Sequence, residues 1–309
     1  MSFILRRLGW TVVVMWFVVT ATFAMVVAVP ADPMRAMLGP HATPDSIERA
    51  RAHYCLDEGV VRQYGCWLAN LGRGDLGESY RTKRPVAQIL GDRVWPTVQL
   101  ALAALLISLA FGVPIGVLSA VRRGRWPDRV ATAIGLVAQS APSFFIGPLL
   151  IYVVAYRWDL LPLSGYGDGG WDRVRHVLLP ALTLAAIGIA YYARVVRNEL
   201  GETLTEDYVR TARAKGLRER DVVLRHALRP AAGPLVTLLG LDLGMLLGGA
   251  VVVESIFSWP GLGREVLQAI LEVDLPVILG VVIVTAAAIA VANLVVDLVQ
   301  LALDPRLGR

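Results

Sequence analysis

Residues 97–121 read TVQLALAALLISLAFGVPIGVLSAV, 25 positions without one charged side chain. In a helix rising 1.5 Å per residue, about 20 such residues cross the roughly 30 Å of hydrocarbon in a bilayer, so this stretch reads as a membrane span. Charge-free or nearly charge-free runs recur at Leu8 to Val29, Val130 to Tyr156, Val177 to Ala193, Ala231 to Val253 (broken once by Asp242) and Leu275 to Val296, which predicts six spanning helices. The whole chain agrees: 309 residues, 56% hydrophobic, only 18% charged and a mean hydropathy of +0.58 exclude a soluble, disordered or disulfide-scaffold protein. Pro114, Pro142 and Pro148 fall inside spans two and three, where neighbouring helices must satisfy the carbonyls they free, so bends are expected there.

Orientation follows from the short loops. Arg6 and Arg7 precede the first span, Arg122, Arg123, Arg125 and Arg129 lie between spans two and three, the segment from Arg194 to Arg229 holds nine basic residues, and Arg306 and Arg309 end the chain. An excess of arginine marks cytoplasmic loops, so both termini are expected inside. The net charge of +5 thus reflects topology and gives no case for nucleic-acid binding. The first apolar run is longer than a signal-peptide core and carries Trp10 and Trp16, which suits a retained anchor.

Between spans one and two lies an external segment, Pro30 to Pro96, too long for a bare connection. Its patterning predicts one helix from Pro44 and Asp45 to near Gly59 and another from Val60 to Leu71, closed by Gly72. Cys55 and Cys66, the two cysteines of the chain, both lie here. An even pair on the oxidising side of a membrane favours a disulfide, with two buried thiols as the alternative. The expected organisation is an anchor and first span over 1–30, an external subdomain over 31–96, and a core over 97–309 that contains a cytoplasmic loop at 197–230.

That loop is charged at both ends yet patterned like two short helices around a glycine. Thr203 followed by Glu206 has the spacing of a capping box, Glu206 and Asp207 suit a first turn, and Tyr208, Val209 and Ala212 form an apolar stripe. Ala212 and Ala214 keep the helix slim, Lys215 falls in its last turn and Gly216 is a left-handed stop; a second helix follows from about Glu219 to Leu228. A short cytosolic helix of this kind fits a groove on a partner.

Tyr208-Val209-Arg210-Thr211-Ala212-Arg213-Ala214-Lys215-Gly216-Leu217, followed by Arg225-His226-Ala227-Leu228-Arg229-Pro230, resembles the coupling-loop motif of ATP-binding-cassette importer permeases, specifically the B-type permease of dipeptide and oligopeptide importers. The likeness extends over essentially the whole chain, through Phe3-Ile4-Leu5-Arg6-Arg7, Asp32-Pro33, Gly74-Asp75-Leu76-Gly77-Glu78-Ser79-Tyr80, Pro96-Thr97, Leu161-Pro162, Gly248 to Glu254, Phe257 to Gly263 and Asp304-Pro305-Arg306. Three features depart from the pattern: the cysteine pair, the acid at Asp242, and Arg229 where a closing proline would stand. The resemblance implies an all-α, six-span type I importer permease of the bacterial inner membrane, working by alternating access. Its implied partners are a second related permease, two cytosolic ATPases that bind ATP and Mg, an extracytoplasmic substrate-binding protein and the surrounding lipid. It also implies that Glu206, Tyr208, Val209, Ala212, Ala214, Lys215, Gly216 and Leu217 couple to an ATPase. Peptides are the implied cargo, with nickel, glutathione and haem carried by related permeases.

No cofactor or metal is expected in this chain, and no catalytic residue. Lys83 follows a threonine and Lys215 an alanine, so no phosphate-binding loop exists; His41, His53, His176 and His226 have no metal-ligand spacing; and no Gly-x-Ser-x-Gly elbow occurs. An ion-coupled transporter would need acids deep in the spans, and Asp242 alone lies there, about 17 Å into span five. Asp242 is therefore a pathway candidate, with a structural hydrogen bond as the alternative; Gln139, Ser140 and Asn293 are weaker candidates, explained as well by contacts between helices, and Asp297 is structural. The external loop Phe257 to Leu275 carries Ser258, Trp259, Pro260 and Gly261, a turn expected to face the binding protein or close over the cavity.

Overall fold

The computed structural model describes residues 2–28 and 58–303, all helix and loop apart from one isolated bridge pairing Glu78 with Pro85. In chain order the helices are α1 (Ser2–Ala28), α2 (Val60–Gly72), α3 (Val86–Val121), α4 (Trp126–Ser140), α5 (Ser143–Leu150), α6 (Gly170–Thr203), α7 (Asp207–Ala214), α8 (Glu219–Asp221), α9 (Leu228–Ala231), α10 (Gly233–Gly249), α11 (Val251–Ile256), α12 (Leu262–Leu271) and α13 (Leu275–Leu303). Wider π-helical turns continue α5 over Ile151–Arg157 and join α8 to α9 over Val222–Ala227. The expected helix from Pro44, together with Cys55, Asp32, Pro33 and Asp304 to Arg306, lies outside the described residues.

Among the described residues, three helices are long and apolar enough to cross a bilayer: α3, α6 and α13 over Leu275–Leu298. α4 and the α5 segment through Arg157 are apolar enough only together, and they meet at 106°, the geometry of a broken span or a re-entrant loop. Pro142 is the cause. It forces Ala141 into extended backbone (φ −83°, ψ 123°) and starts α5 as its N-cap. Pro114, by contrast, leaves α3 continuous. The first and fifth expected spans carry shorter apolar stretches, Gly9–Met25 and Gly233–Leu246.

The chain divides into two compact units, Met1–Pro96 with Pro260–Ala290, and Thr97–Trp259 with Val291–Arg309. In the first, Phe23 of α1 packs on Tyr64 and Trp67 of α2 (ring centroids 5.1 and 5.5 Å), and Thr20 shares a 2.6 Å hydrogen bond with the Tyr64 hydroxyl. Val86, Ile89 and Leu90 at the start of α3 pack with Leu262, Ala269, Val277 and Val281. Asp274, 3% exposed, closes this unit: its carboxylate accepts from Ser79 Oγ at 2.5 Å, the Tyr80 N–H at 3.1 Å and the Arg81 N–H at 3.4 Å. Gly74 and Gly77 make the turn that brings Ser79 there, both at positive φ (80° and 82°).

In the second unit, α3 lies directly against α6. A Cβ on Gly112 would stand 2.9 Å from the Ile189 carbonyl oxygen, and one on Gly116 2.6 Å from Val196 Cβ. Small residues four apart allow such backbone approach, which drives helix association where no hydrophobic effect operates.

Candidate functional site

The loop after α6 folds as a helical hairpin. Glu206 caps α7 in extended backbone (φ −67°, ψ 148°), Val209 and Arg210 donate to its carbonyl, and Gly216 ends the turn at φ +77° with its N–H on the Arg213 carbonyl at 2.9 Å. The left-handed stop is where the sequence places it. The capping box is not: α6 runs on through Thr203, whose hydroxyl bonds the Glu199 carbonyl at 2.8 Å, so Thr203 is a helix end rather than a cap. Lys215 stands just past the last turn as C-cap.

The apolar stripe faces inward. Val209 (0% exposed) and Ala212 (6%) pack with Ala120 of α3, Leu200 of α6, and Val222, Val223, Ala227 and Ala231 of the returning segment. The expectation that Val209 and Ala212 seat in a partner's groove is corrected accordingly, since this chain's own core already covers them. Tyr208, Arg210, Ala214, Lys215 and Leu217 point outward, with Tyr208 46% and Leu217 42% exposed. Arg213 straddles the hairpin: its Nε and Nη2 donate to the two Glu219 oxygens at 3.1 and 2.8 Å. This hydrogen-bonded pairing holds the Glu219 carboxyl below its ordinary value and raises the Arg213 guanidinium.

Next to the hairpin, the Arg197 guanidinium grips both oxygens of the buried Asp128, with Nη2 at 2.9 Å, while the Gly124 N–H donates to Oδ2 at 2.8 Å. The pair fastens the start of α4 to the last turns of α6. In the sequence Arg122, Arg123, Arg125 and Arg129 speak only to topology; the signal for this clasp is an acid directly after Pro127, a helix-start pattern.

Asp242 is partly buried on α10, among Leu238, Leu239, Leu243 and Leu246. Tyr192 of α6, 0% exposed, belongs to the same cluster, and its hydroxyl is turned toward Asp242. The other polar candidates are not brought together with it. Ser140 bonds the Leu136 carbonyl of its own helix at 2.9 Å, Asn293 is exposed on α13, and Gln139 has a buried Nε2 with no partner among the described residues.

Trp259 is also corrected. It is 0% exposed, packed with Leu100, Ala104, Ala181 and Ala250, with Tyr166 edge-on at 4.8 Å and Arg173 stacked 3.7 Å over the Tyr166 ring. An indole so enclosed offers no docking surface. Pro260 is partly buried and Gly261 buried, the latter as the N-cap of α12. Cys66 lies on α2, and no cysteine among the described residues is free.

Comparison with known proteins joins these features. The family described as "Binding-protein-dependent transport system inner membrane component" matches residues 112–309, and its N-terminal companion matches residues 1–101. The chain is 38% identical over 305 residues to the glutathione transport system permease protein GsiC of Escherichia coli K12, covering 99% of this chain and 98% of that protein. It is 37% identical over 334 residues to the dipeptide transport system permease protein DppB of the same strain, with the same coverage. Among solved structures, the MetNI methionine ABC transporter in an inward-facing conformation matches with TM-score 0.59 and 21% identity, over 70% of this chain and 96% of that one, which is a likeness of fold.

Proposed function

The chain belongs to the binding-protein-dependent transport system inner membrane components, multi-pass subunits of the bacterial inner membrane whose ATP hydrolysis resides in partner subunits, and from this premise we propose that it is the B-type permease half of a peptide importer. Six spans with both termini in the cytoplasm would complete the topology, the shorter apolar stretches of α1 and α10 supplying the first and fifth. A second related permease, two ATPases that bind ATP and Mg, and a substrate-binding protein outside are the partners this role requires. The cargo is a dipeptide or short oligopeptide, a reading supported by the dipeptide and glutathione permeases it resembles. Glutathione, itself a tripeptide, is the second reading; nickel and haem follow behind.

The observation that carries the role is the two-faced hairpin. Its inner side, Val209 and Ala212, is mounted on Ala120 and Leu200, so displacement of α7 drags the cytoplasmic ends of α3 and α6 with it. Its outer side offers Tyr208, Ala214 and Leu217 to an ATPase groove. Closure of the ATPases then favours one of two arrangements of the helices, and the cargo site opens to one side or the other. The test is to purify the complex with its binding protein and measure ATPase stimulation by dipeptides and by glutathione. Stimulation by neither, or a permease that recruits no ATPase, refutes the assignment.

A further inference from the structure

Two successive turns of α6 hold three neighbours at once. Val196 packs against α3 at Gly116, Arg197 grips Asp128 of α4, and Leu200 sits in the cluster that seats Val209 and Ala212 of the hairpin. Over the next residue, Gly201, the Arg123 guanidinium of the α3–α4 turn lies 3.0 Å from where a Cβ would stand. Among the described residues the hairpin's core cluster reaches α3 and α6 but includes no residue of α4. A displacement of the hairpin therefore comes to α4 by way of α6, along which α4 lies.

Farther along, these two helices meet through small residues: a Cβ on Gly135 would stand 3.5 Å from Ala190 Cβ, an ordinary contact. Such a surface holds helices together but resists sliding little. Asp128 supplies what it lacks. Its carboxylate is buried, accepts from two Arg197 nitrogens, Nη2 at 2.9 Å, and takes the Gly124 N–H on Oδ2 at 2.8 Å. A guanidinium gripping both oxygens fixes direction as well as distance, and separating the pair would leave a buried charge uncompensated.

We propose that the Asp128–Arg197 pair is the joint through which α6 passes the hairpin's displacement to α4, both side chains being positioning residues for transport. The inference deepens the importer reading and rests on it: α7 displaces α6 through Leu200, and the pair, one turn earlier, makes α4 and the bend at Pro142 follow in step. Without the pair α6 slides along the Gly135 contact, and ATP is hydrolysed without moving cargo.

The test uses the complete importer in nanodiscs with its binding protein, carrying spin labels at two exposed positions, Ile134 of α4 and Ile187 of α6. With the pair intact the label separation should be the same in the nucleotide-free and the ATP–vanadate-trapped states; in Asp128→Asn it should shift between them. Dipeptide carried per ATP should fall about tenfold in Asp128→Asn, the factor of one lost charge-assisted hydrogen bond, while ATPase stimulation by loaded binding protein persists. Arg197→Lys, which keeps the charge but cannot fork onto both oxygens, should fall in between. Labels that already shift with the pair intact, labels that stay fixed in both variants, or transport per ATP unchanged in both, each overturns the joint. So does stimulation lost together with transport, which is what a merely structural pair requires. If Asp128→Asn fails to assemble, Arg197→Lys decides by the same readings, and failure of both to assemble also overturns it. Labels that behave as stated in a complex that carries no dipeptide refute the peptide reading and leave the joint standing.

Discussion

Val209 and Tyr208 are neighbours on α7 with opposite exposures, 0% and 46%, and this separates the mount of the hairpin from its docking face. Val209→Ala deletes two buried carbon groups. At about 0.8 kcal/mol for each in transfer, plus the cavity left behind, the hairpin loses roughly 2 kcal/mol of attachment to Ala120 and Leu200. That is a factor of about 30 in the ratio of seated to detached hairpin. Amide hydrogen exchange of purified permease reads it directly: residues 209–216 should exchange about 30-fold faster when local detachment controls exchange. Tyr208→Ala should leave exchange unchanged yet abolish ligand-stimulated ATPase in the reconstituted complex. If Val209→Ala leaves exchange as it was, or if Tyr208→Ala accelerates it equally, the inside and outside of the hairpin have been misassigned and the lever argument fails.

Three further outcomes follow from the geometry. Gly216→Val forces a β-branched residue to φ +77°; no atom lies within 4 Å of the added Cβ, so the cost is backbone strain of about 1–2 kcal/mol, read as loss of ATPase stimulation with normal insertion. Glu219 is held below its ordinary value, so its pairing with Arg213 stabilises the hairpin above the unfolded carboxyl range near pH 4.3, and that contribution disappears as pH falls below it; with side chains 40% and 55% exposed, Glu219→Gln should change exchange about fivefold at most at neutral pH and not at all in acid. Cys55 and Cys66 should be bridged: mass mapping of unreduced, alkylated protein should show one cross-linked peptide pair, and two alkylated thiols in native membranes would refute it.

Much of this was readable in the amino-acid order, and what was not has identifiable causes. The charge-free runs locate α3, α6 and α13, because lipid imposes length and polarity together. Gly216 is legible because a helix stop needs a residue free to adopt positive φ. The direction of the α7 stripe is not, since periodicity shows that one side is apolar but not whether this chain or a partner covers it. Thr203 imitated a cap because sequence spacing does not reveal that α6 continues past it. Ser258-Trp259-Pro260-Gly261 reads as a surface turn, yet Trp259 is 0% exposed because α3 and α6 supply a pocket no local pattern announces. Tyr192 and Asp128 gain significance only from residues far along the chain, Asp242 and Arg197.

The Asp274 clasp bears on how the protein is made. Ser79 and Asp274 are 195 positions apart, so the ribosome delivers the donors of residues 79–81 long before their acceptor. Until residue 274 has been made and joins them, the Ser79 hydroxyl and two backbone N–H groups lack the carboxylate that buries them, and the Val86 and Leu90 surface waits for Val277 and Val281. This half of the molecule therefore matures in a single late step, when the final hairpin is delivered. A chain stalled before that point exposes an unfinished apolar face and open hydrogen-bonding groups, the marks by which membrane proteases distinguish an incomplete product from a finished one.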